Sequence, residues 1–398
     1  MTKRWYLEDA KKTACDAVVL SCEAADGHWH VTLSESVFFP NKGGQPCDTG
    51  TLGTGNVLSC DESGEMLVHT VDAPLAVGST VRAQIDWERR FDIMQQHTGE
   101  HLLSYCAWKL FDAVNVGFHC ALEYATLDLD RPVDAEGIRA MERMANRIAA
   151  ENRTVTAAIY ATEDEGKALP LRKHSEGLTA PIRIVTIDGA DACTCCAPHV
   201  ERTGEIGLMK ITEAVAYKGG MRLTFLCGMR ALRFVQEVQT ALDTIARGFS
   251  TGRDRAVSAV EKMKEELSDS KRELKQASAR LEGYLAKELQ AKAEVCRGIS
   301  VLVERVEQVE AKRLRPLALG TLTDRSFTAL FSVNGEQVSY ILASKGLKKD
   351  MGELILSVNL ALNGKGGGRG ELAQGSAALR PDLNETLEQL RNYFKKAL

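Results

Sequence analysis

No apolar run in this 398-residue chain is long enough to cross a bilayer, and its opening Met-Thr-Lys-Arg-Trp lacks the apolar core of a signal peptide. No membrane-spanning helix is expected, and the expected address is cytoplasmic. An excess of charge of one sign is missing too, since net charge is −4 and the sequence pI is near 6.1. That excludes a generally basic nucleic-acid coat and leaves room for a local basic surface. The 11 cysteines suggest no disulfide framework, being scattered along a long chain without a secretory signal. Most are expected to be small buried thiols. One cluster stands apart: Cys193, Cys195 and Cys196, followed closely by His199. What is present is ordinary for a globular protein, with 44% hydrophobic and 26% charged residues. The length calls for about two to four domains.

The order of elements predicts an α+β chain, with no regular βαβ alternation. Residues 1–90 read as short strands and turns, among them Ala17–Cys22, His28–Leu33, Met66–Thr70 and Thr80–Trp87. Their spacing fits a small β-barrel. Between them, Phe38 to Gly50 is dense in Gly, Pro, Asn and Asp, which marks a tight loop with backbone angles that glycine takes cheaply. Residues 91–228 mix helix and strand, including an amphipathic helix over Pro132–Glu151. Residues 229–297 turn to long-helix composition, with Val260, Met263, Leu267, Leu274, Ala277, Leu281 and Tyr284 on a heptad-like seam that Ser270 interrupts. A hairpin within one chain and a two-chain coiled coil both fit, and a homodimer is the expectation. Residues 298–398 read as a separate α/β unit. Asn363 to Gly370 is read there as a glycine-rich loop, either a plain surface loop or one that approaches phosphates with Lys365 and Arg369.

The chemistry begins at His97-Thr98-Gly99-Glu100-His101. Two histidines four residues apart share one helix face, so both imidazoles reach a single ion. Cys195-Cys196-Ala197-Pro198-His199 adds a thiolate and an imidazole, completing a tetrahedral zinc set of three nitrogens and one sulfur. Spacing alone leaves Cys193 and Cys196 as rivals for the sulfur. The stretch also fits an inverted zinc-protease pattern with Glu100 as base. That reading needs a distant carboxylate ligand and leaves the Cys195/His199 pair without a role. The zinc-deaminase signature is absent, because Gly99 stands two residues beyond His97.

These segments, in this order, resemble the alanyl-tRNA editing proteins, freestanding relatives of the editing domain of alanyl-tRNA synthetase. Phe39 to Gly50 is similar to the family's Gly-Gly-Gly-Gln-Pro-x-Asp-x-Gly loop, with Lys42 in place of the first glycine. His97–His101 resembles its His-x-x-x-His motif, and Cys195–Val200 its Cys-x-x-x-His-Val motif, with Ala197 and Pro198 where small or hydroxylated residues commonly sit. Lys218–Leu223 with Gly228–Leu232 resembles the end of that domain. Gly366–Gly375 resembles the glycine-rich signature of the synthetase's C-terminal domain. The likeness therefore covers nearly the whole chain, in the long form of the editing protein. No region reads as an aminoacylation catalytic domain, which points to editing in trans.

The resemblance implies a zinc-dependent editing domain over 91–228. Its ligands would be His97, His101, Cys195 and His199, with Cys195 chosen over Cys196. The implied reaction is hydrolysis of the ester joining a wrong amino acid, most often serine, to tRNA(Ala). Gln45 and Thr98 are the residues expected at the reacting ester, Thr98 offering a hydroxyl at the metal's edge. Gly43, Gly44, Gln45 and Asp48 are expected around the substrate, Asp48 by bracing the loop. Lys218, Arg222, Lys365 and Arg369 are the expected tRNA-backbone contacts. Glu100 is expected on the helix surface or behind the ligands. The alternative is a zinc-stabilised tRNA-binding protein without turnover.

Overall fold

Alternation of inward and outward side chains builds the first sheet. Cys15, Ala17 and Val19 face inward along strand Ala14–Ala25, as do Leu67, His69 and Val71 along Met66–Val71. Together with His28–Leu33, Gly55–Ser63, Gly50–Leu52 and Thr80–Ile85 these strands close into a six-stranded barrel. The structure, a computed structural model, describes residues 2–162, 165, 171–172, 181–307 and 309–398. The chain divides into two units, Met1–Ile245 and Ala246–Leu398. No helix among the described residues is long and apolar enough to cross a membrane.

A histidine sits in the barrel core. His69 is fully buried, with Ser36 Oγ 2.9 Å from its Nε2 and the Val31 carbonyl 3.1 Å from its Nδ1. Burial lowers its pKa to about 4, against a slight rise from the Val31 bond. A histidine held neutral favours the folded state fully above its unfolded pKa, and that contribution is lost as pH falls through the folded one. The chain should therefore lose about 2–3 kcal/mol between neutral pH and pH 4 through this group alone. Urea unfolding of His69→Gln, which cannot take a proton, should show a correspondingly flatter pH dependence. An unchanged slope would remove His69 from the account.

Helix Trp87–Phe111 runs through the middle of the first unit and is buried all round from Ile93 to Ser104. Asp86 caps its start by accepting from the Arg89 backbone N–H, and Asp112 ends it in the left-handed conformation at φ 53°. Packed about it are helix Ala135–Ala150 and a four-stranded sheet ordered Met209–Tyr217, Gly220–Cys227, Ala125–Leu129, Asn115–Cys120. A three-stranded sheet of Val155–Tyr160, Ile182–Ile187 and Ala192–Thr194 follows, and its end delivers Cys195.

The long-helix composition becomes two helices, Gly228–Gly248 and Ala256–Ala291. On the second, Met263, Leu267, Leu274, Leu281 and Tyr284 are all exposed, while Ala286 and Leu289 are buried in the second unit. The second unit centres on a six-stranded sheet ordered Glu294–Cys296, Ile299–Glu307, Ser326–Asn334, Gln337–Lys345, Leu372–Ala378, Lys365–Arg369. Inward residues alternate between two cores, one under helices Met351–Leu362 and Leu383–Ala397, the other under Ala311–Gly320. The glycine-rich stretch read as a loop is an edge strand instead. A Cβ at Gly366 would lie 2.5 Å from Gly375 Cα, and one at Gly368 2.3 Å from Ala373 Cα. Close strand pairing, which loop composition conceals, is what those glycines permit.

Candidate metal centre and its cavity

The first unit brings His97, His101, Cys195 and His199 together, with one ligand atom from each lying within 4.8 Å of every other. Cys195 Sγ is 3.5 Å from His97 Nε2 and 3.2 Å from His199 Nε2. The remaining ring nitrogens decide whether a metal fits. His97 Nδ1 donates to Gln45 Oε1 at 2.5 Å, and His101 Nδ1 to Asp191 Oδ2 at 3.0 Å. The Thr98 hydroxyl donates to the Met94 carbonyl at 2.8 Å, so His199 Nδ1, 3.1 Å away, must donate to Thr98. All three imidazoles thus hold a proton on Nδ1 and turn Nε2 toward the thiol. Against burial, Cys193, Asp191 and Cys195 hold His101 well above its ordinary range, so a metal ion there would displace a proton from its Nε2. A proton kept on Nδ1 is what a metal-binding histidine needs, held by partners behind the ligands.

The sulfur fits as well. Burial pushes the Cys195 thiol up, but His97 and His199 beside it outweigh that and hold it well below its ordinary range. Burial lowers His199 to about 3, against the pull of the Cys195 thiolate. A thiolate and neutral imidazoles are what a metal ion binds. The rival sulfurs lie elsewhere. Cys193 Sγ sits 3.3 Å from His101 on its Nδ1 side, and burial raises its thiol. Burial and the Cys195 charge likewise raise Cys196, whose sulfur faces Gly43.

Gln45 reaches His97 because its loop is fixed from below. Gly43 and Gly44 adopt φ of +66° and +77°, and a Cβ at Gly44 would lie 2.5 Å from the Phe118 carbonyl oxygen. Asp48, 2% exposed, accepts from the Phe39 backbone N–H and from the guanidinium of Arg90, which is 1% exposed. Asp48 therefore braces the loop and does not face the cavity. Thr98 is wholly buried, and its hydroxyl serves His199, Met94 and the Val200 N–H rather than the cavity. Thr98→Val keeps the shape and removes the acceptor, so zinc affinity should fall about 10- to 100-fold in a competition titration with a chromogenic chelator. Unchanged affinity would show that this bond does not orient His199.

A cavity of about 650 Å³ opens beside the ligands, lined by His97, His101 and Cys195 and walled by Phe39, Phe118, Ile159 and Ile182. Sequence reasoning missed Asp191 and Arg172. Burial raises the Asp191 carboxyl, but hydrogen bonds from His101 and Arg172 bring it down to about 2. No local pattern announces either residue, and only the packing of distant segments pairs them. Glu100, expected on the surface or behind the ligands, is 4% exposed and lines the cavity.

The expected tRNA contacts lie outside this cavity. Lys218 sits at a hairpin turn with φ 47°, its Nζ 5.1 Å from the Tyr217 ring. Arg222 gives two hydrogen bonds to Asp128, at 2.6 and 2.7 Å, and stacks on Tyr217. Lys365 and Arg369 are exposed at the two ends of the edge strand in the second unit.

Residues 182–223 match the family model described as the threonyl and alanyl tRNA synthetase second additional domain. The alanyl-tRNA editing protein AlaX-L of Pyrococcus horikoshii is 28% identical over 99% of this chain and 100% of its own length. Aarsd1 of Mus musculus, also an alanyl-tRNA editing protein, is 32% identical over 63% of each chain. The alanine–tRNA ligase of Thermococcus kodakarensis is 29% identical over 98% of this chain, which spans 43% of that ligase. Among solved structures, the C-Ala domain of Aquifex aeolicus alanyl-tRNA synthetase is 28% identical over 25% of this chain and 96% of that domain, with a TM-score of 0.24. The chain is thus similar over nearly its whole length to an alanyl-tRNA editing protein, and the residues that match the synthetase second additional domain lie in the unit that carries the His and Cys cluster.

Proposed function

We propose that the chain hydrolyses the ester of mischarged tRNA(Ala) in trans, with Ser-tRNA(Ala) as its main substrate and zinc as its metal. The observation that carries this reading is the common Nδ1 proton of His97, His101 and His199, each turning Nε2 toward Cys195 at one end of a cavity. His97, His101, Cys195 and His199 would hold the ion, a nitrogen and sulfur set that suits zinc. Zinc bound there supplies a Lewis acid for an ester carbonyl and acidifies a water molecule.

The chain's own part is orientation and exclusion. Gln45, Asp191 and Thr98 fix the three rings, and the apolar walls Phe39, Phe118, Ile159 and Ile182 keep bulk water from the ester. Removing serine while sparing alanine calls for a polar contact that alanine leaves unmade, since a bare pocket discriminates poorly against a missing hydroxyl. Lys218, Lys365 and Arg369 serve as backbone contacts, and the exposed seam of helix Ala256–Ala291 joins two chains.

The test is a deacylation panel of Ser-tRNA(Ala), Ala-tRNA(Ala) and Ser-tRNA(Thr), with an unstructured peptide alongside. Ser-tRNA(Ala) should be cleared first, by a wide margin. Equal or faster clearance of Ser-tRNA(Thr) would shift the substrate to threonine tRNA. Binding of tRNA without turnover would make the chain a scaffold, and cleavage of the peptide would make it a protease.

A further inference from the structure

Glu100 has no part in holding the ligands, yet it is a buried carboxylate at the wall of the same cavity. Among the described residues its side chain uses only one of its oxygens. Oε1 accepts from the Ser104 hydroxyl and from Asn115 Nδ2, the latter at 2.6 Å. Asn115 is itself held, since its Oδ1 accepts from the Gly117 N–H at 2.8 Å. Oε2 has no hydrogen-bond partner among the described residues, and it is not among the buried polar atoms left unsatisfied, so it opens onto the cavity that Glu100 lines. Arg172, one of the cations lining the cavity, is already engaged: it donates through Nε and Nη2 to Asp191, at 2.6 and 3.1 Å.

An ionised carboxylate oxygen is an acceptor only, and at 4% residue exposure it gains little from bulk water. Whatever fills the cavity beside it should bring a donor, best a charged one. We infer that Glu100 is a specificity-determining residue that binds the α-ammonium group of the aminoacyl ester. This rests on the aminoacyl-ester reading above and adds the group that distinguishes an amino acid from other acyl chains. The site should then favour esters with a free α-amine over those in which a neutral hydroxyl replaces it.

Two nearly isosteric esters test this. Ser-tRNA(Ala) is compared with the glyceryl ester that nitrous acid makes from it, both assayed at slightly acid pH on the zinc-loaded wild type and on Glu100→Gln. The glutamine can still accept from Ser104 and Asn115 but offers the cavity an amide. Glu100→Gln should lower kcat/KM for the seryl ester about 10- to 100-fold, the scale of a hydrogen bond to a charged group. Its effect on the glyceryl ester should stay within a few-fold, with zinc content unchanged. Equal losses on both esters would assign Glu100 a structural or proton-transfer role and overturn the inference, and so would no loss on either.

A measurement without any variant guards against misfolding. Non-hydrolysable 3′-amide analogues of seryl- and glyceryl-adenosine are compared as inhibitors of the wild type. The amine analogue should bind at least about tenfold more tightly, and equal inhibition would overturn the inference. Failure of the wild type to hydrolyse any seryl ester is a separate outcome, which removes the editing reading itself.

Discussion

A Cys195→Ala chain is expected to purify with a small fraction of the single zinc ion per chain that the wild type should carry. Among the described residues Cys195 Sγ is the one sulfur lying against both His97 Nε2 and His199 Nε2, so its loss removes the ligand those two rings face. Deacylation of Ser-tRNA(Ala) should fall on the order of a thousandfold or more, the scale set by losing several kcal/mol of metal-borne charge stabilisation. His199→Ala should behave alike. Cys193→Ser is the control, because Cys193 lies on the Nδ1 side of His101, and it should keep its ion. Metal analysis of the three purified variants with single-turnover hydrolysis decides the matter. Full zinc content in Cys195→Ala would refute the ligand set, and zinc loss in Cys193→Ser alone would move the sulfur to that residue.

The second large effect lies beneath the glycine-rich loop. Arg90 and Asp48 form an ion pair almost wholly out of water, with Arg90 also donating to the carbonyls of Ala10 at 3.0 Å and Val37 at 2.7 Å. Such a pair adds little over an apolar replacement, but removing one partner strands a buried charge. Arg90→Met should therefore cost about 3–5 kcal/mol in urea unfolding. It should also release the loop that carries Gln45, so zinc affinity falls with stability. The double variant Arg90→Met/Asp48→Leu should regain much of the lost stability, because no buried charge remains. A loss under about 1 kcal/mol in Arg90→Met would show that the pair does not organise the loop.

The parts of the site that were legible in the sequence are those set by local geometry. A four-residue spacing of histidines on a helix turns both rings to one point whatever surrounds them, whereas Cys195 and His199 lie in a loop beyond strand Ala192–Thr194 and join them through packing. The first strands were legible because period-two alternation shows in a sheet with one buried face, as along Met66–Val71. The bonds behind the ligands were not legible, because Gln45 and Asp191 meet the histidines, and Arg172 meets Asp191, only through packing of segments remote in sequence; Gln45, expected from the sequence at the ester, bonds His97. Thr98 looked like a hydroxyl for the substrate, yet its neighbours occupy it fully. Glu100 misled for a related reason. From Ile93 to Ser104 helix Trp87–Phe111 is buried all round, so around Glu100 it has no wet face to which a charged residue could be assigned. Glycine composition was ambiguous in the tail, where Gly366 and Gly368 serve strand contact rather than loop freedom.

The central claim is that ester hydrolysis depends on one ion held by His97, His101, Cys195 and His199. Its most direct test is the initial rate of Ser-tRNA(Ala) hydrolysis as the metal-free chain is titrated with zinc. The rate should start near zero, rise in proportion to added zinc and level off at one ion per chain. A metal-free chain that hydrolyses Ser-tRNA(Ala) at the full rate would contradict the account.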